Sequence, residues 1–247
     1  LVVFAAGFLL KAPCRSIAWS SADTQYRVGC YSDIPLLYLF RGFADGERPY
    51  LDPPAADGRY LEYPVLTGAV MAVTSWLVGT EGTASERMVR FYDITALLLL
   101  LFALLTVAAV WSTRPRGPTA ALMVALSPAL LLTATINWDL IAVAFTALAV
   151  FAWSRQAFWW TGVFIGLGAA AKFYPLFLLG PVLVLVLHRV LARRRGRDGD
   201  LPAWPLGPGA VLLRVLVASV LTWAAINLPV ALANRDGWLE FYTFSQD

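Results

Sequence analysis

The sequence predicts an all-α integral membrane protein, a polytopic helix bundle, and three observations lead to this prediction. Of the 247 residues, 59% are hydrophobic and only 14% are charged. The mean hydropathy is +0.67, whereas a soluble domain of this size needs far more charge to cover its surface. Apolar runs close to the roughly 20 residues needed to cross a bilayer recur along the chain. Lipid is therefore the expected solvent.

The chain opens inside an apolar run, residues 1–10, with no charged flank before it. No small-residue cleavage site follows, so the tail of a first membrane helix explains this run better than a signal-peptide remnant does. Residues 241–247 are aromatic and polar and contain no closing element. We therefore expect residues 1–247 to be a single transmembrane domain taken from the middle of a longer protein.

Six further apolar segments are predicted to cross the membrane as helices. They are residues 94–111, 118–135, 140–153, 158–171, 174–190 and 210–233. Several are shorter than a full span, so their ends are expected to shift by several positions. Pro128, Pro181 and Pro229 fall inside three of them, and a kink is expected at each. The glycines at positions 162, 166 and 168 predict a close approach of another helix.

Arginine-rich loops set the expected orientation. The loops after the first, third and fifth segments carry Arg114 and Arg116, then Arg155, then Arg189, Arg193, Arg194, Arg195 and Arg197. With Arg214 this face holds nine Lys or Arg, whereas the opposite short loops hold only Lys172 and Arg235. Because positive short loops stay in the cytoplasm, the opposite face is predicted to be external.

The apolar run at residues 63–79 is ambiguous. If it crosses the membrane, residues 11–60 are cytoplasmic; if it does not, residues 11–93 form one large external loop. That loop holds ten acids and eight bases, and long loops escape the charge rule. Because the run opens with Glu62-Tyr63-Pro64 and contains Gly68 and Thr74, we favour a juxtamembrane or re-entrant helix. Such a helix needs a covering of protein or a water-filled cavity, which an active-site cleft would supply.

Both cysteines, Cys14 and Cys30, fall in the same long loop. In an oxidising compartment they can form a disulfide that closes a loop of about 15 residues. Two free thiols are the alternative, and the sequence does not decide between the two.

Several polar residues collect on the predicted external face. Ionisable groups at the ends of apolar helices are costly unless they face a polar cavity, so they are functional candidates. On this basis Asp33, Glu62, Asn137, Asp139 and Lys172 are candidates. The alternative is that each is an interfacial anchor or a loop residue in water.

Six short motifs occur in an order that resembles a known family. They are Tyr31-Ser32-Asp33-Ile34-Pro35, Arg41-Gly42-Phe43, Pro49-Tyr50-Leu51-Asp52, Glu62-Tyr63-Pro64, Asn137-Trp138-Asp139 and Lys172-Phe173-Tyr174-Pro175. Their order over most of the chain resembles the GT-C superfamily of glycosyltransferases, and more narrowly the actinobacterial polyprenol-phosphate-mannose-dependent branch, family 87. The resemblance implies a helix bundle of GT-C type. Residues 11–93 would be a large external first loop with juxtamembrane helices, residues 94–233 six spans, and residues 234–247 the start of a further external loop.

The resemblance also implies a reaction. A sugar, mannose or arabinose, would move from a polyprenyl-phosphate donor to a hydroxyl of a glycolipid or polysaccharide outside a bacterial plasma membrane. Asp33 matches the family's general base, which takes the proton of the acceptor hydroxyl. Lys172 is the candidate cation beside the departing phosphate, with Arg90 as a second. The other predicted substrate-binding residues are Asp139, Asn137, Glu62 and Tyr174.

No cofactor or metal is expected, because a phosphate-linked donor with its own cationic clamp does not require one. The only histidine, His188, lies beside Arg189 at the predicted cytoplasmic edge, which excludes a histidine-built metal site within this sequence. The expected partners are the lipid-linked donor, the acceptor and membrane lipids, but not nucleic acid, because the arginines lie mostly in loops where topology requires them. Two other functions remain open: a lipid or small-molecule transporter or flippase, and a non-catalytic membrane scaffold subunit.

Overall fold

The computed structural model describes residues 1–113, 117–197, 199 and 203–244, and within these ranges the chain is helical without strands. The α-helices are α1 (Val2–Leu9), α2 (Ala12–Ser16), α3 (Ala22–Arg27), α4 (Asp33–Phe40), α5 (Val65–Val78), α6 (Ala84–Trp111), α7 (Gly117–Ala125), α8 (Pro128–Thr133), α9 (Asp139–Ser154), α10 (Phe158–Ala171), α11 (Leu179–Arg194), α12 (Pro208–Ala233) and α13 (Arg235–Thr243). Two 3-10 turns, Phe43–Asp45 and Tyr174–Leu178, lie between them.

Within the described ranges, three helical stretches are long and apolar enough to span a membrane: α6, the stretch Tyr174–Arg194 and α12. Four shorter apolar helical stretches, α5, α7 with α8, α9 and α10, have 10–17 residues. At 1.5 Å per residue a helix of 14 residues is about 21 Å long, which is shorter than the ~30 Å hydrocarbon core. The structure therefore supports an α-helical membrane protein, in which three of the six predicted segments lie in helical stretches long enough to span the hydrocarbon core.

Two predicted segment boundaries were wrong. The helix predicted from residue 94 begins at Ala84, because Thr83 and Glu86 form a capping box that starts it ten residues earlier. The segment predicted as one span at 118–135 is two helices, α7 and α8, because Pro128 cannot continue the ladder and Ser127 caps α8. By contrast, Pro229 is accommodated inside α12.

The arginine loops that the structure describes lie together at one end of the bundle, called here the arginine end. Arg155 donates from its guanidinium to the Ser112 carbonyl at 3.2 Å, which joins the ends of α9 and α6. The guanidinium of Arg189 lies 4.9 Å from the ring centre of Trp204. Arg114 and Arg116 lie outside the described residues. The opposite end, called the site end, carries residues 11–64, residues 134–139, residues 171–174 and α13.

Helix α10 lies between α9 and α12, and α9 in turn packs on α6. Glycines allow the closest approach: a Cβ on Gly162 would meet the Val215 carbonyl oxygen at 2.3 Å, and one on Gly166 would meet the Ser219 carbonyl oxygen at 2.5 Å. Because those neighbours are backbone atoms, they cannot rotate away. The close helix approach predicted from these glycines is confirmed.

The glycine contact yields a stability prediction. Gly166→Ala should destabilise the fold by about 1–3 kcal/mol, because the added methyl pushes α10 off α12. Gly180→Ala is the matched control, since its Cβ would meet no atom within 4 Å. It should be neutral or slightly stabilising in a helix. Thermal unfolding of both variants in detergent measures the difference; equal midpoints would contradict the packing described.

At the site end, residues 11–64 form a layer of short helices around an aromatic core. Tyr38 packs on Phe91 with ring centres 4.8 Å apart, and Trp138 is almost fully buried beside them. Cys14 and Cys30 form a disulfide in this layer, and both are fully buried. The disulfide, left open from the sequence, is therefore present.

Helix α5 is tied at both ends to the site end. The Thr67 hydroxyl donates to the Ala171 carbonyl at 2.9 Å, where α10 ends. The Ser75 hydroxyl donates to the Phe43 carbonyl at 2.9 Å, within the layer of residues 11–64. This helix of 14 residues is therefore bonded both to the end of α10 and to the layer of residues 11–64.

Candidate functional site

The start of α4 is bonded to the segment before α9, which lies about a hundred residues further along the chain. The Asp33 backbone N–H donates to the Ile136 carbonyl at 2.8 Å. The Ser32 hydroxyl donates to the Thr135 carbonyl at 2.8 Å, and its oxygen also caps α4. These bonds bring Asp33 next to the Asn137-Trp138-Asp139 motif.

Two tyrosine hydroxyls hold the carboxylate of Asp33. Tyr31 donates to Oδ1, and Tyr63 donates to Oδ2 at 3.3 Å. The bond to Asp33, followed by burial, raises the pKa of the Tyr31 phenol to about 12. Burial, followed by the charges of Asp33 and Asp139, raises the pKa of Tyr63 well above its usual range. Both phenols therefore stay protonated and keep donating at neutral pH.

The hydrogen bond from Tyr31 to Asp33 predicts that replacing Asp33 will change the pKa of the Tyr31 phenol. In Asp33→Asn the neighbouring negative charge is removed, so the pKa of Tyr31 should fall from about 12 towards its ordinary value of 10.0. Because the folded pKa is the higher one, the stabilisation from this bond is complete below about pH 10 and is lost as the pH rises through 12. Phenolate absorbance between pH 9 and 12.5 measures the shift, and Tyr31→Phe assigns the signal. An unchanged titration in Asp33→Asn would contradict the contact.

Lys172 and Asp139 form an ion pair next to this carboxylate. Lys172 ends α10, and Asp139 begins α9, so each charge lies at the end of an apolar helix. The Asn137 side-chain oxygen accepts from the Asp139 N–H at 3.0 Å and turns the chain into α9. The Lys172 side chain is 37% exposed and the Asp139 side chain is 44% exposed. The ion pair therefore faces water and adds little to stability.

A cavity of about 920 Å³ opens above these groups and is called here the polar cavity because of its charged residues, although apolar side chains such as Leu36, Leu39 and Phe40 also line it. Its charged lining consists of Asp33, Arg41, Asp45, Glu47, Asp57, Glu62 and Lys172. The Arg41 side chain is only 9% exposed. It donates to Glu62 at 2.7 Å and to Asp57 at 2.8 Å. The cavity is therefore acidic, and its buried arginine is already neutralised by two carboxylates.

An apolar groove of about 580 Å³ adjoins the ion pair from the helical bundle. Its walls come from α6, α7, α8 and α9, and its polar end is formed by Asn137 and Asp139. Asp139 lines this groove, and its partner Lys172 lines the polar cavity. The ion pair therefore stands between an acidic, water-facing cavity and an apolar groove at the depth of the helices. The break at Pro128 between α7 and α8 helps to form the groove.

The structure brings together some of the predicted site residues but not all. Asp33, Glu62 and Lys172 line the polar cavity, whereas Asn137 and Asp139 line the groove. Tyr174 packs against the core with its hydroxyl buried, and it does not line the cavity. Arg90 lies elsewhere.

Arg90 occupies a separate charged depression with Arg15 and Asp93. Its guanidinium donates to the Glu81 carbonyl, and Arg15 pairs with Asp93. Arg90 was assigned a phosphate role because it precedes a predicted span. The long helix α6 instead turns its side chain towards the loop before that helix.

Several residues of the cavity, or in contact with Asp33, were not predicted as site residues, among them Tyr31, Arg41, Tyr63, Phe241 and Phe244. The first three belong to the short sequence motifs, so those motifs could have identified them as site residues. The two phenylalanines come from α13 and the residue after it. Nothing in their local sequence distinguishes them from interfacial aromatic residues, since only the tertiary fold brings α13 over the cavity.

Among the described residues no group of three or more His, Cys, Asp or Glu side chains is arranged to hold a metal ion. What the site offers is an oriented carboxylate, an exposed lysine, further carboxylates and two aromatic rings. These groups can accept protons and hydrogen bonds from hydroxyls and can present one cation to a phosphate. No protein-family model matches the chain, and searches of curated proteins and of solved structures found no match either.

Proposed function

We propose that this protein is a membrane glycosyltransferase that moves a sugar from a polyprenyl phosphate to a hydroxyl of a glycolipid or polysaccharide. The observation that carries the proposal is the Asp139–Lys172 pair between the polar cavity and the apolar groove. A polyprenyl-phosphate sugar has the same three parts: a polyol head, a phosphate and an apolar chain. The order of motifs that resembles the GT-C superfamily supports the same reaction.

In the proposed reaction Asp33 is the general base. The acceptor oxygen attacks the anomeric carbon, its proton passes to the Asp33 carboxylate, and the bond from that carbon to the phosphate oxygen breaks. The phosphate leaves with the bonding electron pair, and the sugar is oxocarbenium-like at the transition state. Tyr31 and Tyr63 hold both carboxylate oxygens, which keeps one orientation for proton transfer.

Lys172 is the proposed cation for the leaving phosphate. Its charge would stabilise the negative charge that develops on the phosphate oxygens. Before the donor binds, Asp139 holds the ammonium group at the mouth of the groove. Because the pair is more than a third exposed, releasing Lys172 to the phosphate costs little.

The proposed location is a bacterial plasma membrane, with several spans and the site end outside. The buried Cys14–Cys30 disulfide fits an oxidising compartment for this end, and the arginine end then faces the cytoplasm. A transporter is less favoured, because transporters place ionisable groups near the membrane midplane. Here Asp139 and Lys172 stand at helix ends.

The decisive experiment is sugar transfer by the protein in membranes. Labelled polyprenyl-phosphate mannose is supplied with a crude glycolipid acceptor, and polyprenyl-phosphate arabinose is supplied in a parallel reaction. We expect a labelled glycolipid from one of the two donors. If neither donor gives a product with folded protein, the proposed reaction is wrong.

The orientation has its own test. Arg27 is exposed at the site end, with 77% of its side chain accessible, and Arg195 is exposed at the arginine end. In Arg27→Cys, a membrane-impermeant maleimide should label intact cells. In Arg195→Cys, labelling should require permeabilised cells. The reverse pattern would place the site end in the cytoplasm.

A further inference from the structure

Helix α13 and the residue after it form part of the wall of the polar cavity. The rings of Phe241 and Phe244 line the cavity. Phe241 is held from behind by Phe173, with ring centres 5.2 Å apart, and Phe244 has the Arg59 guanidinium 5.2 Å from its ring centre. Two aromatic rings therefore stand in one wall of the cavity, and the charged residues that line the cavity are mostly acidic.

Several contacts fix this wall relative to Asp33. The Asn234 side-chain amide caps α13 and donates to the Tyr50 carbonyl at 2.7 Å. A Cβ on Gly237 would lie 2.2 Å from the same oxygen, so α13 and residue 50 are in close backbone contact. The Tyr50 hydroxyl donates to the Tyr63 carbonyl at 2.8 Å. Tyr63 in turn holds Asp33, so α13 and the carboxylate belong to one bonded unit.

The charges of the cavity decide which ligand fits. Of the described residues that line it, five are acidic and two are basic. Both bases are already bonded to carboxylates, Arg41 to Glu62 and Asp57, and Lys172 to Asp139. The Arg59 guanidinium stands beside Phe244, but the charged lining as a whole is acidic, so an anionic ligand near Asp45 and Glu47 would meet like charge. A neutral polyol meets many acceptors for its hydroxyls and two apolar ring faces for its C–H groups.

We propose that the part of the cavity between Phe241, Phe244 and the carboxylates of Asp45 and Glu47 is the binding subsite for the acceptor, and that this acceptor presents an uncharged sugar. This inference adds to the proposed function and depends on it, because the bound sugar is an acceptor only if the protein is a glycosyltransferase. It excludes acceptors whose reacting residue is a uronate or a sugar phosphate. The pyranose C–H face stacks on the rings, and the hydroxyl to be glycosylated points towards Asp33.

Direct binding tests this subsite without any donor. The protein in zwitterionic lipid nanodiscs is titrated with four uncharged methyl disaccharides, of the manno, gluco, galacto and arabino series. A matched uronate of each hexose series is titrated in parallel. Saturation-transfer NMR gives the dissociation constants. We expect at least one uncharged disaccharide to bind about tenfold more tightly than its uronate, because the carboxylates of the cavity repel a like charge at close range.

Substitutions distinguish the contribution of the aromatic rings to sugar binding from that of the carboxylates. Phe241→Ala with Phe244→Ala should weaken binding of the uncharged disaccharide about tenfold, whereas Phe241→Tyr with Phe244→Tyr should retain it. Asp45→Asn with Glu47→Gln should reduce the penalty on the uronate. Trp76→Ala is the control, because Trp76 is exposed at the same end of the molecule and does not line this cavity.

The results distinguish this subsite from the proposed reaction. If no disaccharide binds, if the uronates bind as well, or if the alanine pair binds like wild type, the subsite is wrong. Disaccharide binding without transfer from any polyprenyl-phosphate donor would instead refute the reaction and leave an uncharged-glycan site. Transfer with an unchanged acceptor KM in the alanine pair would refute the subsite and leave the reaction.

Discussion

Asp33→Asn should reduce sugar transfer by about 10²–10⁴-fold, the usual contribution of a positioned general base. The amide keeps the size of the side chain, and its one oxygen can still accept from one of the two tyrosines, but it cannot take the proton of the acceptor hydroxyl. The effect should fall on kcat, with little change in the KM for the donor. Initial rates of transfer from labelled polyprenyl-phosphate sugar measure it.

The control for this variant is Asp23→Asn. Asp23 also belongs to residues 11–64, but its side chain is 74% exposed and pairs only with Arg27 in the next helical turn. It should keep wild-type activity. The thermal unfolding midpoint of Asp33→Asn should stay near that of wild type. Equal transfer rates in Asp33→Asn and wild type would remove Asp33 from the reaction and with it the proposed position of the active site.

Lys172→Met should reduce kcat by about 10²–10³-fold, the usual effect of removing one group that stabilises developing charge. Methionine keeps the apolar stem of lysine and removes the ammonium group that the leaving phosphate requires. Lys172→Arg should recover part of the activity, because the charge returns on a side chain of different shape. The measurement is kcat at saturating donor, together with donor binding.

A double-mutant comparison separates this role from the ion pair. If Lys172 serves only to hold Asp139, then Asp139→Asn should lose as much activity as Lys172→Met, and the double variant should be no worse than either. If Lys172 acts on phosphate, Asp139→Asn should retain far more activity than Lys172→Met. The first pattern would contradict the proposed role.

The structure brings two of the short motifs together. The Asp33 and Asp139 motifs are more than a hundred residues apart, and the bonds from Ser32 and Asp33 to residues 135–136 join them. Sequence order suggested that both serve one site, but the sequence does not contain their contact. Arg90 differs from these residues. Its position before a predicted span suggested that it binds the phosphate, but its side chain is directed towards the Glu81 carbonyl and away from the cavity.

The lipid-compatible composition, the helical class, the approximate helix positions and the clustering of arginines at one end were predictable from the sequence. These properties follow from local hydropathy and from loop charge, which act over one helix or loop at a time. The close packing at Gly162 and Gly166 was also predictable, because small residues at helical spacing permit contact wherever a neighbour lies.

Which distant groups meet depends on the tertiary structure. The placement of α13 over the cavity, and the meeting of α6, α7, α8 and α9 around the groove, depend on packing between segments. Phe241 and Phe244 look locally like interfacial aromatic residues. They become a cavity wall because Asn234 and Gly237 fasten α13 to Tyr50, a contact between residues more than 180 positions apart, which no local pattern encodes.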